Sequence, residues 1–150
     1  MSDLEIRPVT ADDLASVVAM LADDPLGAQR ESPEDLTPYE EALQRLTDDP
    51  NQHVVVAVRE GRVVGTLQLT IVPGLSRRGA TRSIIEGVRI HGDERGSGLG
   101  TQLIQWAVDE SRRQDCRLVQ LTSDVTREDA HRFYERLGFT ASHLGFKLAL

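Results

Sequence analysis

Hydrophobic and polar positions change their period several times along the 150 residues, and each change marks an element. "LEIRPV" alternates apolar with polar and predicts a short strand ended by Pro8. In "TADDLASVVAMLADD", Leu14, Val17, Val18 and Leu21 fall at i, i+3, i+4 and i+7, one face of a helix. Thr10 is placed to cap that helix, with Asp13 closing an acidic version of the capping box. "DPLGAQRESPED" has no period and predicts a loop. "TPYEEALQRL" restarts a helix with Thr37 as cap and Pro38 at its first position.

"HVVVAVRE" and "RVVGTLQLTIV" are β-branched runs joined by a tight "EG" turn, the signature of a hairpin. "PGLSRRGAT" is turn-rich, and "RSIIEGVRI" is the next strand. "LGTQLIQWAVDESRRQ" predicts a long helix whose Leu99, Leu103, Trp106 and Ala107 share a face. "RLVQLTS" reads as a strand and "TREDAHRFYERLG" as a helix closed by Gly138. "FTASHLGFKLAL" is expected to supply one or two final strands. The order β-α-α-β-β-β-α-β-α-β predicts an antiparallel meander followed by a parallel strand–helix–strand crossover. The expected class is a mixed α/β fold, a sheet of six to seven strands with helices on both faces, in a single domain spanning residues 1–150.

Composition adds exclusions. No apolar run approaches the roughly 18 residues of a membrane span, and "MSDLEIR" is no signal peptide. Cys116 is the only cysteine, so no internal disulfide forms, which suits a cytoplasmic location. A net charge of −7 argues against general nucleic-acid binding. The charge is uneven: residues 1–50 hold thirteen acids against Arg7, Arg30 and Arg45, whereas residues 51–150 hold fourteen basic residues against eleven acids. That distribution suits either a solvated acidic front or a cationic substrate at one end and an anionic one at the other.

The chemistry centres on "HGDERGSGLG", residues 91–100, between a predicted strand and a predicted helix. A glycine-rich helix entrance exposes backbone N–H groups at the positive end of the helix dipole, an anion site. A Walker loop is excluded because Lys147, the only lysine, is far away. The dinucleotide fingerprint is excluded because Thr101 stands where it needs glycine. What remains is Arg95-x-x-Gly98-x-Gly100 after "IIEGVRI", followed by "AHRFYERLGF" at residues 130–139. With these two stretches in this order, the chain resembles the GNAT superfamily of N-acetyltransferases.

The resemblance implies acetyl-CoA as co-substrate and no metal. Its pyrophosphate would be held by Arg95, Gly96, Ser97, Gly98, Leu99, Gly100 and Thr101, and its pantetheine arm by backbone at Val88, Arg89 and Ile90. Arg77, Arg78, Arg82 and Arg89 either screen the phosphates or are solvated charges. Many members have asparagine where Asp124 stands. Asp124 can accept an N–H from the arm but cannot donate, and its alternative is to cap a helix.

Acetyl transfer to an amine needs a proton acceptor and a proton for the leaving thiolate. Period two places Ile84, Glu86, Val88 and Ile90 on one face, where apolar neighbours would desolvate Glu86 and raise its pKa. Glu86 is the candidate base, and members of the superfamily often place a glutamate on this strand. Its structural alternative is a carboxylate paired with an arginine such as Arg82. Tyr134 is the candidate acid, and with Phe133 it is implied to face the co-substrate. Its alternative is packing in the stripe Ala130, Phe133, Tyr134 and Leu137. Cys116 reads as a buried thiol, and the four histidines show no metal-ligand spacing. His91, bordering the loop, is either a second proton carrier or a surface residue.

The resulting expectation is a GNAT-type N-acetyltransferase acting on a primary amine of a small molecule or peptide by direct attack. "DDPLGAQRESPED" and the capped helix after it would hold the acceptor, either through acids that attract its ammonium or through Arg30 on an acceptor carboxylate. No nucleic acid or membrane partner is expected, and a homodimer is among the states this reading allows. The rival from another class is an acyl-CoA sensor without turnover, which has no need of Glu86 or Tyr134.

Overall fold

The computed structural model describes residues 3–150. Five strands lie side by side in chain order in one sheet: β1 (Leu4–Pro8), β2 (Gln52–Arg59), β3 (Arg62–Val72), β4 (Arg82–Ile90) and β5 (Leu118–Leu121). The first four are antiparallel neighbours. The β2–β3 turn is made by Glu60 and Gly61, both at positive φ, as a two-residue hairpin of this twist requires. β5 starts level with β4, where Arg117 N–H donates to the Thr81 carbonyl at 2.8 Å, so these two strands run parallel. The connection between them is helix α5 (Leu99–Arg113).

The alternation within β3 sorts the two faces. Leu67, Leu69 and Ile71 are buried on one face with Ser83 and Ile85 of β4. α5 covers this face with Leu99, Leu103, Ile104 and Ala107. The Ser83 and Ser111 hydroxyls meet there at 2.7 Å, a satisfied polar pair inside the core. Helix α1 (Leu14–Ala22) packs on β3 and β4 and buries Leu14, Val17, Val18 and Met20. The expected capping box forms on the 3-10 turn Ala11–Asp13 that leads into it: Asp13 accepts from Thr10 N–H at 2.7 Å and from the Thr10 hydroxyl at 3.0 Å. Arg7 grips the same carboxylate with two bonds of 2.8 and 3.0 Å.

Short helix α2 (Gly27–Arg30) lies inside the segment expected to be loop. In α3 (Thr37–Asp48) the expected cap moves by one residue, because Leu36 is the N-cap and Thr37 is helical. Asp35 takes the capping role and accepts Thr37 N–H at 3.1 Å. Segment α4 (Ser76–Gly79) is one turn whose Arg77, Arg78 and Gly79 are left-handed.

Residues up to Gln120 form one compact unit and Leu121–Leu150 a second. The second unit carries α6 (Glu128–Arg136). The expected strands in "FTASHLGFKLAL" do not form, so the sheet has five strands rather than six to seven. Leu144, Phe146 and Leu148 alternate as a strand would, but all are largely exposed and no strand forms there.

Candidate active site

The glycine loop is an opened helix entrance. A short 3-10 turn, Gly92–Glu94, follows β4, and the Ser97 N–H and hydroxyl both donate to the Glu94 carbonyl, at 3.1 and 2.6 Å. Arg59 holds the Glu94 carboxylate at 3.1 Å. Beyond these ties, Gly96 and Gly98 adopt φ of +82° and +86°, a region in which other L-residues are strained. Space in front of both is open: a Cβ built on either would meet nothing within 4 Å. The first helical bond of α5 runs from Gln102 N–H to the Gly98 carbonyl at 3.2 Å, so the amides of Leu99, Gly100 and Thr101 precede it and have no carbonyl one turn back. Arg95 is exposed and paired with Asp23 at 3.6 Å. The backbone, more than that arginine, supplies the positive end.

β4 offers the extended edge. It has nine residues against four in β5, and the two begin together, so the last residues of β4 run past the end of β5. Val88, Arg89 and Ile90 lie in this overrun. The Val88 carbonyl already accepts from Arg89 Nη1 at 2.8 Å, leaving one lone pair there. Arg89 Nη2 lies 3.5 Å from Asp24, so this guanidinium is held by protein rather than offered to phosphate.

A bulge re-aims the strand. Gln68 faces Glu86 and Thr66 faces Arg89, so β4 has one more residue than β3 between these pairs. Gly87, at φ +62°, accommodates the extra residue. The simple alternation expected for Ile84, Glu86, Val88 and Ile90 therefore stops at Glu86. Ile90 faces Gly65 on the α5 side of the sheet, while Glu86 shares its face with Arg89, Ile84 and Arg82. Glu86 is exposed, which corrects the expected desolvation by apolar neighbours. It makes no ion pair with Arg82, so its proposed structural alternative is absent as well.

The face around Glu86 is polar and only partly covered. Gln68 stands opposite Glu86, Thr70 opposite Ile84, and Gln52 opposite Thr70. The Gln52 Oε1 accepts from Gln68 Nε2 and the Thr70 hydroxyl, both at 2.9 Å. Arg82 Nη1 donates to Gln120 Oε1 at 3.2 Å. Sequence reasoning missed this patch because its members are far apart in the chain. Gly87, isolated inside a strand, was the available signal for a bulge.

Tyr134 belongs to the second unit, near the end of α6. Its ring meets Phe133 and Phe139 edge-on, with centroids 5.1 and 5.9 Å apart. Phe139 N–H donates to the Tyr134 carbonyl and Gly138 N–H to that of Glu135, with Gly138 at φ +99°. This is a Schellman cap, and it accounts physically for the "LGF" that ends the motif. Asp124 precedes the helix and accepts from the Thr126 N–H and hydroxyl at 2.9 and 2.6 Å, so its carboxylate closes an Asx turn.

The other candidates have local roles. His91 Nδ1 accepts Asp93 N–H at 3.1 Å and caps the short turn before the loop. Burial pushes the Cys116 thiol up, away from nucleophile behaviour. Arg30 is exposed at the end of α2. Tyr39 anchors the loop before α3, accepting Ser32 N–H at 2.9 Å and donating to Glu31 at 2.8 Å. Among the described residues, no group of three His, Cys, Asp or Glu side chains is placed to hold a metal, and no helix is long and apolar enough to cross a membrane.

The profile of the Acetyltransferase (GNAT) family matches residues 15–139. The chain belongs to this family. As a GNAT member it is an acyltransferase, and the opened entrance of α5 with the overrunning β4 lies within the matched span. The chain is 33% identical over 146 residues to the aminoalkylphosphonate N-acetyltransferase of Salmonella typhimurium, covering 97% of this chain and 91% of that protein. It is 33% identical over 153 residues to the glucosamine 6-phosphate N-acetyltransferase of Trypanosoma brucei brucei, covering 99% and 97%. Among solved structures, a protein of Bacillus halodurans C-125 described as a transcriptional regulator superposes with a TM-score of 0.95 at 44% identity, covering 99% of this chain and 100% of that one.

Proposed function

We propose that this GNAT protein moves an acetyl group from acetyl-CoA to the primary amine of a small molecule that carries a phosphonate or phosphate, by direct attack. The observation that carries the co-substrate is the entrance of α5, where two left-handed glycines leave open space before amides that have no helical partner. These amides suit a pyrophosphate, and the edge of β4 beyond β5 suits an amide-bearing arm, which can pair as a strand would. Acetyl-CoA supplies an activated thioester.

The chain's own groups handle the protons. Glu86, exposed on the polar face just before the bulge, receives the proton that the amine nitrogen loses as its bond to the acetyl carbon forms. Tyr134 is assigned the proton needed by the sulfur as the carbon–sulfur bond breaks, and this role rests on the resemblance of "FYERLGF". Direct attack is favoured because burial disfavours the thiolate of Cys116, the only cysteine. The acceptor class is supported by the two relatives aligned over nearly the whole chain, both named for amines bearing a phosphorus oxyanion.

An acceptor screen with acetyl-CoA, read as released thiol, tests this reading. The panel includes 2-aminoethylphosphonate, glucosamine 6-phosphate, an amino acid, a polyamine and a short peptide. Acceptor-dependent thiol release is expected, fastest with the phosphorus-bearing amines. Faster turnover of the peptide or polyamine would overturn the acceptor class, and no release with any amine would overturn the activity.

A further inference from the structure

We propose that Arg82 and Glu86 form a two-point acceptor site, in which the Arg82 guanidinium takes the phosphorus oxyanion and Glu86 takes the ammonium. The proposal rests on the acceptor class above and names the residues that recognise it. Residues 82, 84 and 86 precede the bulge and alternate, so their side chains stand on one face of β4. Register confirms the sharing: Val72, Thr70 and Gln68 of β3 face Arg82, Ile84 and Glu86 in turn. Four residue steps along the strand put the two charged residues about 13 Å apart at the backbone. Both side chains are flexible, and swinging toward each other, with Arg82 leaving Gln120, closes that gap around a small amine with a terminal oxyanion. Half-buried Ile84 lies between them and offers an apolar floor for the methylenes.

Arg82 is not engaged as the arginines around the glycine loop and the end of β4 are. Arg59, Arg89 and Arg95 are each held by a carboxylate, Glu94, Asp24 and Asp23 respectively. Arg82 has no carboxylate within 4.0 Å among the described residues, and its single side-chain bond is from Nη1 to the neutral Gln120 Oε1. A half-buried guanidinium with donors remaining is a planar fork suited to two oxygens of a phosphonate. Glu86 is equally without an arginine, lysine or histidine partner within that distance among the described residues. The two unlike charges share a face without neutralising one another, which leaves both for a zwitterion.

The test compares wild type, Arg82→Gln and Arg82→Lys on 2-aminoethylphosphonate and n-propylamine. Two readouts are used: kcat/KM at saturating acetyl-CoA, and calorimetric binding of the phosphonate to the CoA-loaded protein. Wild type should prefer the phosphonate, and Arg82→Gln should reduce that preference by about tenfold or more, the scale of lost charge-assisted bonds. Phosphonate affinity should fall in parallel, Arg82→Lys should recover part of both, and retained CoA affinity shows that the variants are folded. The proposal is overturned if Arg82→Gln keeps the wild-type preference and affinity, or if wild type does not discriminate between the amines. Binding of the phosphonate through Arg82 with no turnover of any amine would uphold the two-point site and sink the acetyl-transfer reading. Turnover of both amines at equal rates would do the reverse.

Discussion

Phe139 N–H bonds to the Tyr134 carbonyl at 3.1 Å while the two rings meet edge-on, 5.9 Å apart. Backbone and side chain thus fix the same pair, with Gly138 turning the chain between them at positive φ. The ring and the carbonyl of Tyr134 both hold this corner, and Tyr134→Phe keeps both contacts. Tyr134→Phe should therefore fold normally and bind acetyl-CoA with little change. Its kcat should drop by about tenfold or more if the hydroxyl delivers the proton. A kcat within about twofold of wild type would make Tyr134 a packing residue alone.

Gly98 starts α5 in the left-handed region with nothing in front of it. Gly98→Asp places a negative charge before the helix amides and a Cβ at a strained φ. The strain should cost about 1–2 kcal/mol of stability, while acetyl-CoA affinity measured by calorimetry falls sharply. Gly98→Asn tolerates the same backbone without the charge and should bind far closer to wild type. Equal affinities for wild type and Gly98→Asp would remove the pyrophosphate site from the loop.

Asp13 is held below the usual carboxylate range, chiefly by the Arg7 hydrogen bonds and further by the Thr10 N–H and hydroxyl, against the opposing effect of burial. A carboxylate depressed in the folded state adds stability that is fully present above its unfolded value, about 3.9, and is lost as pH falls through the lower folded value. Asp13→Asn should therefore lower stability at pH 7 by about 1–2 kcal/mol, and the gap should narrow from about pH 4 downward. Thermal melts of both proteins at pH 7 and pH 3 check this. A gap of equal size at both would show that the charge contributes nothing.

Elements whose pattern depends on near neighbours were readable in the sequence. The capping box of Thr10 and Asp13, the Glu60–Gly61 turn and the apolar stripe of α5 are local relations, and all three form, the stripe with Ile104 buried beside Leu99, Leu103 and Ala107 and Trp106 only half-buried. The glycine loop was readable for the same reason, since its conformation is set by residues within six positions. Glu86 lies on the expected strand, but in surroundings other than the apolar ones that simple alternation predicts. Its face depends on an extra residue that only the register against β3 reveals. The end of the chain shows the opposite limit. Leu144, Phe146 and Leu148 alternate as a strand requires, yet alternation alone does not make a strand.

Glu86 is the proposed acceptor of the attacking amine's proton, and the pH dependence of Glu86→Gln reads that role. Glutamine keeps the shape of the side chain on the polar face opposite Gln68 but takes no proton at neutral pH. At pH 7 an alkylamine acceptor is mostly ammonium, so kcat/KM for 2-aminoethylphosphonate should fall by about 10²-fold. At pH 9.5 more amine is free, so the variant should recover a large part of the wild-type rate while acetyl-CoA affinity stays unchanged. An equal deficit at both pH values, or none at either, would contradict the role given to Glu86.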